Sequence, residues 1–194
     1  MKNLELQKCI LGPVYTNCYF LKNKTTGEML VIDPADFPEK IYEKVIQMGG
    51  KPAAILLTHG HFDHIMAAQA VKEKYNIPIY ACRQEEEMLR EPSVNMTAHY
   101  GKNCSIIPDV LLNDLEVFQV AGFTIQIIHT PGHTKGSCCY YIEEEDVLFS
   151  GDTVFYGSVG RTDFPGGSTA DIVRSLHKLV DSLPEETEVF PGHD

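Results

Sequence analysis

The sequence predicts an α/β fold in which two β-sheets pack together and carry helices on their outer faces. Two observations predict it. Strand patterns alternate with helical patterns in the first half of the chain, and a run of strands, one helix and a last strand follow. The length of 194 residues, with 43% hydrophobic and 22% charged, suits a globular protein with a sizeable core. Since no linker-like segment interrupts the chain, we expect a single domain over residues 1–194.

Short segments rich in β-branched and aromatic residues, separated by glycine-containing turns, predict strands in the first half of the chain. Pro38 opens a helical pattern that Gly49 closes, with Ile41 and Val45 on one face. Ala53–Leu57 is a continuous apolar run, which is typical of a strand buried on both faces. The other predicted elements here are strands at Leu4–Leu11, Tyr15–Leu21, Glu28–Asp33 and Pro78–Ala81, and a helix at about His64–Tyr75.

The second half of the chain is predicted to contain mainly strands, with one amphipathic helix near its end. Arg83–Arg90 favours a helix, whereas the polar segment that follows it up to Asp109 favours a loop at the mouth of a substrate site. Ser168 and Asp171 resemble a capping box at the start of the last helix. The remaining predicted elements are strands at Leu115–Val120, Phe123–His129, Ser137–Glu143, Val147–Ser150 and Glu188–Phe190, and a helix at Thr169–Ser182.

The charge and the cysteines of the chain bear on its partners and its location. Sixteen basic and 27 acidic residues give a formal net charge of −11, which argues against nucleic-acid and polybasic membrane surfaces. We expect neither a secretory signal nor a membrane span, because no suitable apolar run is visible. The six cysteines form no Cys-x-x-Cys pair, so we expect reduced core thiols and a cytoplasmic location.

The segment Thr58-His59-Gly60-His61-Phe62-Asp63-His64 carries the strongest chemical signal. Three imidazoles and a carboxylate directly follow the buried strand, and such nitrogen and oxygen donors bind borderline-soft divalent metals. His59 and His61 point to the same side of an extended chain, because side chains alternate with a period of two. After the chain turns, Asp63 and His64 can face the same cavity. The segment therefore predicts a metal site at the end of the strand.

Three further turns have the same design, in which a short apolar strand ends in a glycine-containing turn that presents one donor. The donors are His133 in Thr-Pro-Gly-His, Asp152 in Ser-Gly-Asp-Thr and His193 in Pro-Gly-His. Functional sites are commonly built on such strand-end loops because the sheet fixes where each loop begins. We therefore expect the donors of all four turns to form one metal centre.

These motifs resemble those of the metallo-β-lactamase superfamily, in the family's order and over nearly the whole chain. The resemblance implies the metallo-β-lactamase fold, a four-layer αβ/βα sandwich of two mixed sheets with two divalent metal ions between them. Zinc is the expected metal, with iron or manganese as alternatives. The implied ligands are His59, His61 and His133 for the first ion, Asp63, His64 and His193 for the second, and Asp152 as a bridge between both.

Within the superfamily, Asp152 separates this chain from true β-lactamases, which carry no bridging aspartate at the matching position. The chain resembles instead the thioester hydrolases, namely glyoxalase II and small relatives, and the persulfide dioxygenases. Gly157–Ser168 is similar to the matching segment of small single-domain glyoxalase II-like hydrolases of bacteria. The helical domain that helps glyoxalase II to grip glutathione has no counterpart in these 194 residues. The resemblance implies a metal-dependent hydrolase that cleaves thioesters of the S-acylglutathione type, with a mononuclear iron persulfide dioxygenase as the alternative.

In this hypothesis a hydroxide bridging the two ions attacks the thioester carbonyl, since divalent ions lower the pKa of bound water from about 15.7 toward about 7. The expected catalytic residues are Asp152, which holds both ions, and Asp63, which also orients or deprotonates the water. The ions make the site positive within an acidic protein, so an anionic substrate can enter. A zinc-stabilised binding module is a further alternative, although structural zinc sites are typically closed and cysteine-rich.

Three more side chains are candidate substrate contacts. A basic residue of glyoxalase II matches Arg161 and lies near the substrate, so the resemblance implies a substrate contact there. The alternative for Arg161 is a structural ion pair with Asp163. Lys135 and Tyr140 are further candidates. The expected partner is a small-molecule thioester, and neither a nucleic-acid nor a membrane partner is expected.

Overall fold

A six-stranded sheet forms one half of the computed structural model, which describes residues 2–194. Its strands are β1 (Leu4–Leu11), β2 (Thr16–Asn23), β3 (Glu28–Ile32), β4 (Lys51–Leu56), β5 (Ile79–Cys82) and β6 (Val110–Leu112). They lie in sequence order across the sheet. The first three pair antiparallel, and β3 to β6 pair parallel.

A five-stranded sheet forms the other half. Its strands are β7 (Val117–Val120), β8 (Phe123–His129), β9 (Cys138–Ile142), β10 (Val147–Gly151) and, after the short hairpin of β11 (Val154–Phe155) and β12 (Ser158–Val159), β13 (Glu188–Pro191). The order across the sheet is β13-β10-β9-β8-β7. Strand β13 pairs parallel with β10, and the other neighbours are antiparallel, so both main sheets are mixed.

Five α-helices accompany the sheets: α1 (Pro38–Met48), α2 (Phe62–Ile65), α3 (Ala68–Tyr75), α4 (Glu86–Arg90) and α5 (Thr169–Ser182). Gly49 ends α1 in the left-handed conformation with a φ of 61°, which glycine adopts without steric cost. The Ser168 side chain caps α5 by accepting a hydrogen bond from the amide of Asp171 at 3.2 Å, as the capping pattern predicted.

Three apolar clusters hold the layers together. One lies between the first sheet and the helices α1 and α3, one between the two sheets, and one between the second sheet and α5. In β4, Ala54 and Leu56 face the second sheet whereas Ile55 faces the helices, which explains the continuous apolar run of this strand. This arrangement confirms the predicted fold class, a sandwich of two mixed sheets with helices outside.

Several local expectations need correction. The helix expected at about His64–Tyr75 is two helices, because the amide of Ala67 donates to the carbonyl of Pro34 at 2.9 Å and interrupts the helical ladder. Strand β6 and the β11–β12 hairpin were not predicted, since two or three residues are too few to show a periodicity.

All six cysteines are free thiols. Among residues 2–194, no helix combines the length and hydrophobicity that a bilayer crossing requires. The single domain over residues 1–194 stays a prediction, and Met1 lies outside the described residues.

Candidate metal centre

The ends of four strands bring the seven predicted donors together in one cluster. The first sheet supplies the donors that follow β4, and the second sheet supplies those that follow β8, β10 and β13. Each strand is anchored in the apolar core, so the short turns that follow it start from fixed positions. The donors are His59 and His61 after β4, Asp63 and His64 in α2, His133 after β8, Asp152 after β10, and His193 after β13.

The first set of donors consists of three buried imidazoles, those of His59, His61 and His133. One nitrogen from each lies within 4.8 Å of the others, and Nδ1 of His61 is 2.9 Å from Nε2 of His133. Burial and the neighbouring imidazoles lower the pKa of His61 to about 3. Burial also lowers the pKa of His59 and of His133. All three rings are therefore neutral at pH 7, which is the form that binds metal.

The second set of donors consists of Asp63, His64 and His193, whose ligand atoms also lie within 4.8 Å of one another. Oδ2 of Asp63 is 3.5 Å from Nε2 of His64 and 3.3 Å from Nε2 of His193. Burial alone would raise the pKa of Asp63, but the two imidazoles and a hydrogen bond from Thr16 lower it below its usual range. Asp63 is therefore ionised at neutral pH and able to bind a cation.

Asp152 lies between the two sets. Its Oδ2 is 3.4 Å from Nε2 of His133 in the first set and 3.5 Å from Nε2 of His193 in the second. Its Oδ1 is 3.4 Å from Nε2 of His64. Burial would raise the pKa of Asp152, but His64 and the other imidazoles outweigh it and lower the pKa. An ionised carboxylate in this position can contact cations held by either set.

Unsatisfied polar atoms test whether these donors fit metal ions. Nε2 of His59, Nε2 of His61 and Oδ1 of Asp152 are buried, and none of them has a hydrogen-bond partner within residues 2–194. Buried polar atoms are nearly always paired, so three such atoms in one cluster require an explanation. Neutral imidazole nitrogens and carboxylate oxygens are ligands for zinc, iron and manganese. The donors present therefore fit divalent metal ions.

A third carboxylate, that of Asp33, orients His64, although the sequence analysis did not single it out. Nδ1 of His64 donates to Oδ2 of Asp33 at 2.8 Å, and the hydroxyl of Thr58 donates to the same oxygen at 2.6 Å. Because Nδ1 is hydrogen-bonded to Asp33, Nε2 is the ring nitrogen that faces Asp63 and Asp152. Nδ1 of His133 likewise donates to the carbonyl of Arg161 at 2.8 Å. Asp33 follows the end of β3, so the strand-end rule that found the other donors applies to it as well.

Glu85 joins two of the loops that carry donors. Its buried carboxyl accepts the amide of Gly60 through Oε1 and the amide of Gly136 through Oε2, both at 2.8 Å. Gly60 lies between His59 and His61, and Gly136 follows His133 by three residues. Burial raises the pKa of Glu85 to about 7 and outweighs its hydrogen bonds, which lower it. Glu85 therefore holds the two loops of the first donor set together.

A cavity of about 490 Å³ opens above the donors, and Arg161 lines it. The guanidinium of Arg161 donates to both carboxylate oxygens of Asp163 at 2.7 Å, so the predicted alternative of an ion pair is present. It also lies over the ring of Phe164 at 3.7 Å. Met96 and Tyr100 line the same cavity, so the segment after α4 contributes to the mouth as the sequence predicts.

The structure places two of the candidate substrate contacts outside the cavity of the donors. Tyr140 is fully buried in the core between the sheets, where its hydroxyl donates to the carbonyl of Leu57 at 2.9 Å. Lys135 does not line the cavity of the donors; it lines a separate one with Arg83 and Arg90. For Tyr140, on β9, the strand pattern could not show this, because which face of a strand is buried depends on how the sheets pack.

Comparison with known proteins agrees with this geometry. The profile of the metallo-beta-lactamase superfamily matches residues 11–193. The probable metallo-hydrolase YqgX of Bacillus subtilis is 37% identical over 192 residues, which is 98% of this chain and 90% of YqgX. The hydroxyacylglutathione hydrolase GloC of Haemophilus influenzae is 30% identical over 166 residues, which is 84% of this chain and 78% of GloC.

Solved structures agree as well. BLEG-1, described as a B3 metallo-beta-lactamase, is 38% identical with a TM-score of 0.91, and the match covers 98% of this chain and 92% of BLEG-1. TTHA1623 in a di-iron-bound form is 35% identical with a TM-score of 0.84 and coverages of 97% and 92%. ETHE1 from Myxococcus xanthus is 25% identical with a TM-score of 0.79 and coverages of 98% and 76%. The chain belongs to the metallo-β-lactamase superfamily.

Proposed function

We propose that this metallo-hydrolase cleaves thioesters of the S-acylglutathione type. The observation that carries the proposal is the pair of donor sets joined by Asp152 at the floor of an open cavity. Two adjacent cation sites suit the hydrolysis of a carbonyl compound, because one centre can hold the water and polarise the carbonyl together. The similarity to GloC, whose name states hydroxyacylglutathione hydrolysis, supports the choice of thioester.

The roles of the side chains follow from their positions. His59, His61 and His133 would hold one divalent ion, Asp63, His64 and His193 a second, and Asp152 would contact both. Bound in these sets, the ions would lower the pKa of a coordinated water toward about 7 and polarise the substrate carbonyl.

Asp63 is the residue that we propose to orient or deprotonate the water. Its Oδ2 accepts a hydrogen bond from Thr16 at 2.8 Å, which fixes the carboxylate, and its lowered pKa keeps it ionised. An ionised carboxylate can orient the attacking water by accepting a hydrogen bond from it, and deprotonation of the water by Asp63 is the alternative role. The leaving thiolate needs little acid assistance because thiols have a pKa of about 8.5.

Zinc is the metal that we propose, with iron or manganese as alternatives, because the donor set of imidazoles and carboxylates suits all three. The di-iron form of TTHA1623 shows that a relative with 35% identity can hold iron.

We further propose that the protein acts in the cytoplasm on a small molecule and binds neither nucleic acid nor membranes. Its free thiols and its net charge of −11 support this proposal.

The second candidate function is that of a mononuclear iron persulfide dioxygenase, because the sequence motifs also resemble those of that enzyme class. Such a reaction needs one metal ion, and the first donor set alone could hold it. The convergence of Asp63, His64 and His193 into a second set favours the hydrolase over the dioxygenase.

The test is steady-state hydrolysis of S-lactoylglutathione by purified protein of measured metal content, with oxygen uptake on glutathione persulfide as the parallel assay. We expect hydrolysis that His61→Ala abolishes and Asp181→Asn, an exposed substitution on α5, leaves unchanged. Oxygen uptake with one iron per chain and no thioester hydrolysis would overturn the proposal in favour of the dioxygenase. A β-lactam such as nitrocefin serves as a third substrate because BLEG-1 is described as a β-lactamase.

A further inference from the structure

We propose that the cavity selects thioesters whose acyl group is apolar, either aromatic or branched aliphatic, over those with a small polar acyl group. This inference rests on the proposed thioester hydrolysis and names the substrate class of the same site. It is carried by the apolar rim, which we define as the six residues Val14, Phe62, Tyr100, Phe155, Val159 and Phe164 that line the cavity around the donors.

One wall of the apolar rim is a stacked aromatic pair. The rings of Phe62 and Tyr100 lie 4.0 Å apart with an interplanar angle of 20°. Phe62 is the buried member of the pair, whereas Tyr100 is 49% exposed. Val14 is also exposed at this mouth. A bound group entering the cavity therefore meets apolar carbon on this side.

Two further aromatic rings of the rim contact the donors themselves. Phe164 meets the ring of His61 edge-on, with centroids 5.7 Å apart, and Phe155 meets His193 in the same way at 6.1 Å. Val159 is exposed beside them on the β11–β12 hairpin. The substituent of a carbonyl placed over the donors would therefore lie near these rings.

The few charged and polar groups around the cavity also favour an apolar acyl group. Among the described residues that line it, Arg161 is the one cationic side chain of Lys or Arg type. Both of its guanidinium hydrogen bonds go to Asp163, and its face lies on Phe164. Apart from the donors, the tyrosine hydroxyl of Tyr100 and the hydroxyl of Ser158 are the other polar side-chain groups of the lining. A polar acyl group would lose water there with few partners in return, whereas an apolar group gains from leaving water.

A matched pair of substrates tests the inference. S-lactoylglutathione and S-phenylacetylglutathione share the thiol and differ in the acyl group, and each rate is divided by the rate of hydroxide-catalysed hydrolysis of the same compound. We expect kcat/KM for the phenylacetyl compound to exceed that for the lactoyl compound by at least about tenfold, which is the range that hydrophobic pockets supply.

Two variants and a control locate the selectivity. Tyr100→Ala and Val159→Ser replace exposed side chains of the apolar rim, and each should lower the preference for the phenylacetyl compound by several-fold. Val117→Ser, an exposed substitution on β7 away from the cavity, should leave the preference unchanged. A preference for the lactoyl compound, or a preference that neither rim variant alters, overturns this inference while the thioester hydrolase stands. Hydrolysis of neither compound overturns the proposed function, and this inference with it.

Discussion

His64 donates a hydrogen bond from Nδ1 to Oδ2 of Asp33 at 2.8 Å, and both side chains are shielded from solvent. The same carboxylate also accepts the amide of Thr58 at 2.8 Å. Asp33 thereby connects the turn after β3 with the turn after β4 and with α2. The bond fixes the ring so that Nε2 points toward Asp63 and Asp152, at 3.5 and 3.4 Å.

The first prediction concerns this bond. Asp33→Ala should weaken metal binding by about 10- to 100-fold, which is the usual cost of losing a partner that orients a ligating imidazole. It should also lower the free energy of unfolding by about 1–3 kcal/mol, because the amide of Thr58 is left buried and unpaired. Metal content measured against buffers of known free metal tests the first effect, and Asp181→Ala, on an exposed site, is the control. Equal metal affinity in both variants would show that Asp33 has no positioning role.

The second prediction concerns metal removal. Ions that bind the folded chain alone stabilise it by about 4 kcal/mol at a free concentration 1,000 times Kd. Chelation should therefore lower the free energy of unfolding of the wild type and abolish hydrolysis, and zinc should restore both. Asp152→Ala removes the carboxylate between the two sets, so we expect it to lose metal and activity and to unfold equally with and without chelator. Full activity after exhaustive chelation would contradict the proposed metal centre.

The donors were predictable because their signal is local. Five of the seven lie in glycine-containing turns directly after an apolar strand, which can be recognised within a few residues, and Asp63 and His64 follow His61 within three residues in α2. Long periodic elements were equally clear, so the bounds of β8 and α5 agree with the predicted ones. Both cases depend on neighbouring residues alone.

Glu85 and Tyr140 could not be assigned for the opposite reason. Glu85 acts through amides 25 and 51 residues away, so nothing next to it in the chain indicates its contacts. Tyr140 lies on β9, where every residue is buried, so its substrate contact was excluded by packing between the sheets and not by any local pattern. The contacts of Glu85 and the burial of Tyr140 both depend on residues that are distant in the sequence, so the sequence alone could not predict them.

The third prediction concerns Gly192, which lies directly before His193. A Cβ atom at this position would lie 2.2 Å from Oδ1 of Asp152 and 2.8 Å from Cε1 of His64. Gly192→Ala should therefore displace the Asp152 carboxylate and reduce metal content and activity by at least about tenfold, with the secondary structure retained. Val189→Ala, on the exposed part of β13, is the control. Unchanged metal content in Gly192→Ala would mean that the Asp152 side chain can move without loss of its role.

The fourth prediction concerns the pH dependence of stability. In the folded protein, burial raises the pKa of Glu85 from its ordinary value of 4.5 to about 7. Below pH 4.5 the carboxyl is protonated in both states. Between these values the folded state binds more protons than the unfolded state, so the free energy of unfolding falls as the pH rises. Glu85 contributes at most about 3 kcal/mol to this fall, since one pKa unit corresponds to about 1.4 kcal/mol.

Glu85→Gln isolates that contribution because an amide cannot ionise. Urea unfolding of metal-free protein, measured from about pH 4.5 to 8, should show wild type losing stability relative to Glu85→Gln as the pH rises. Metal-free protein is used because ligand protonation makes metal binding itself depend on pH. Glu87→Gln, two residues away on the exposed face of α4, should run parallel to wild type. If the curve for Glu85→Gln is parallel as well, the carboxyl is ionised at neutral pH, and the amides of Gly60 and Gly136 then hold a buried anion beside the candidate metal centre.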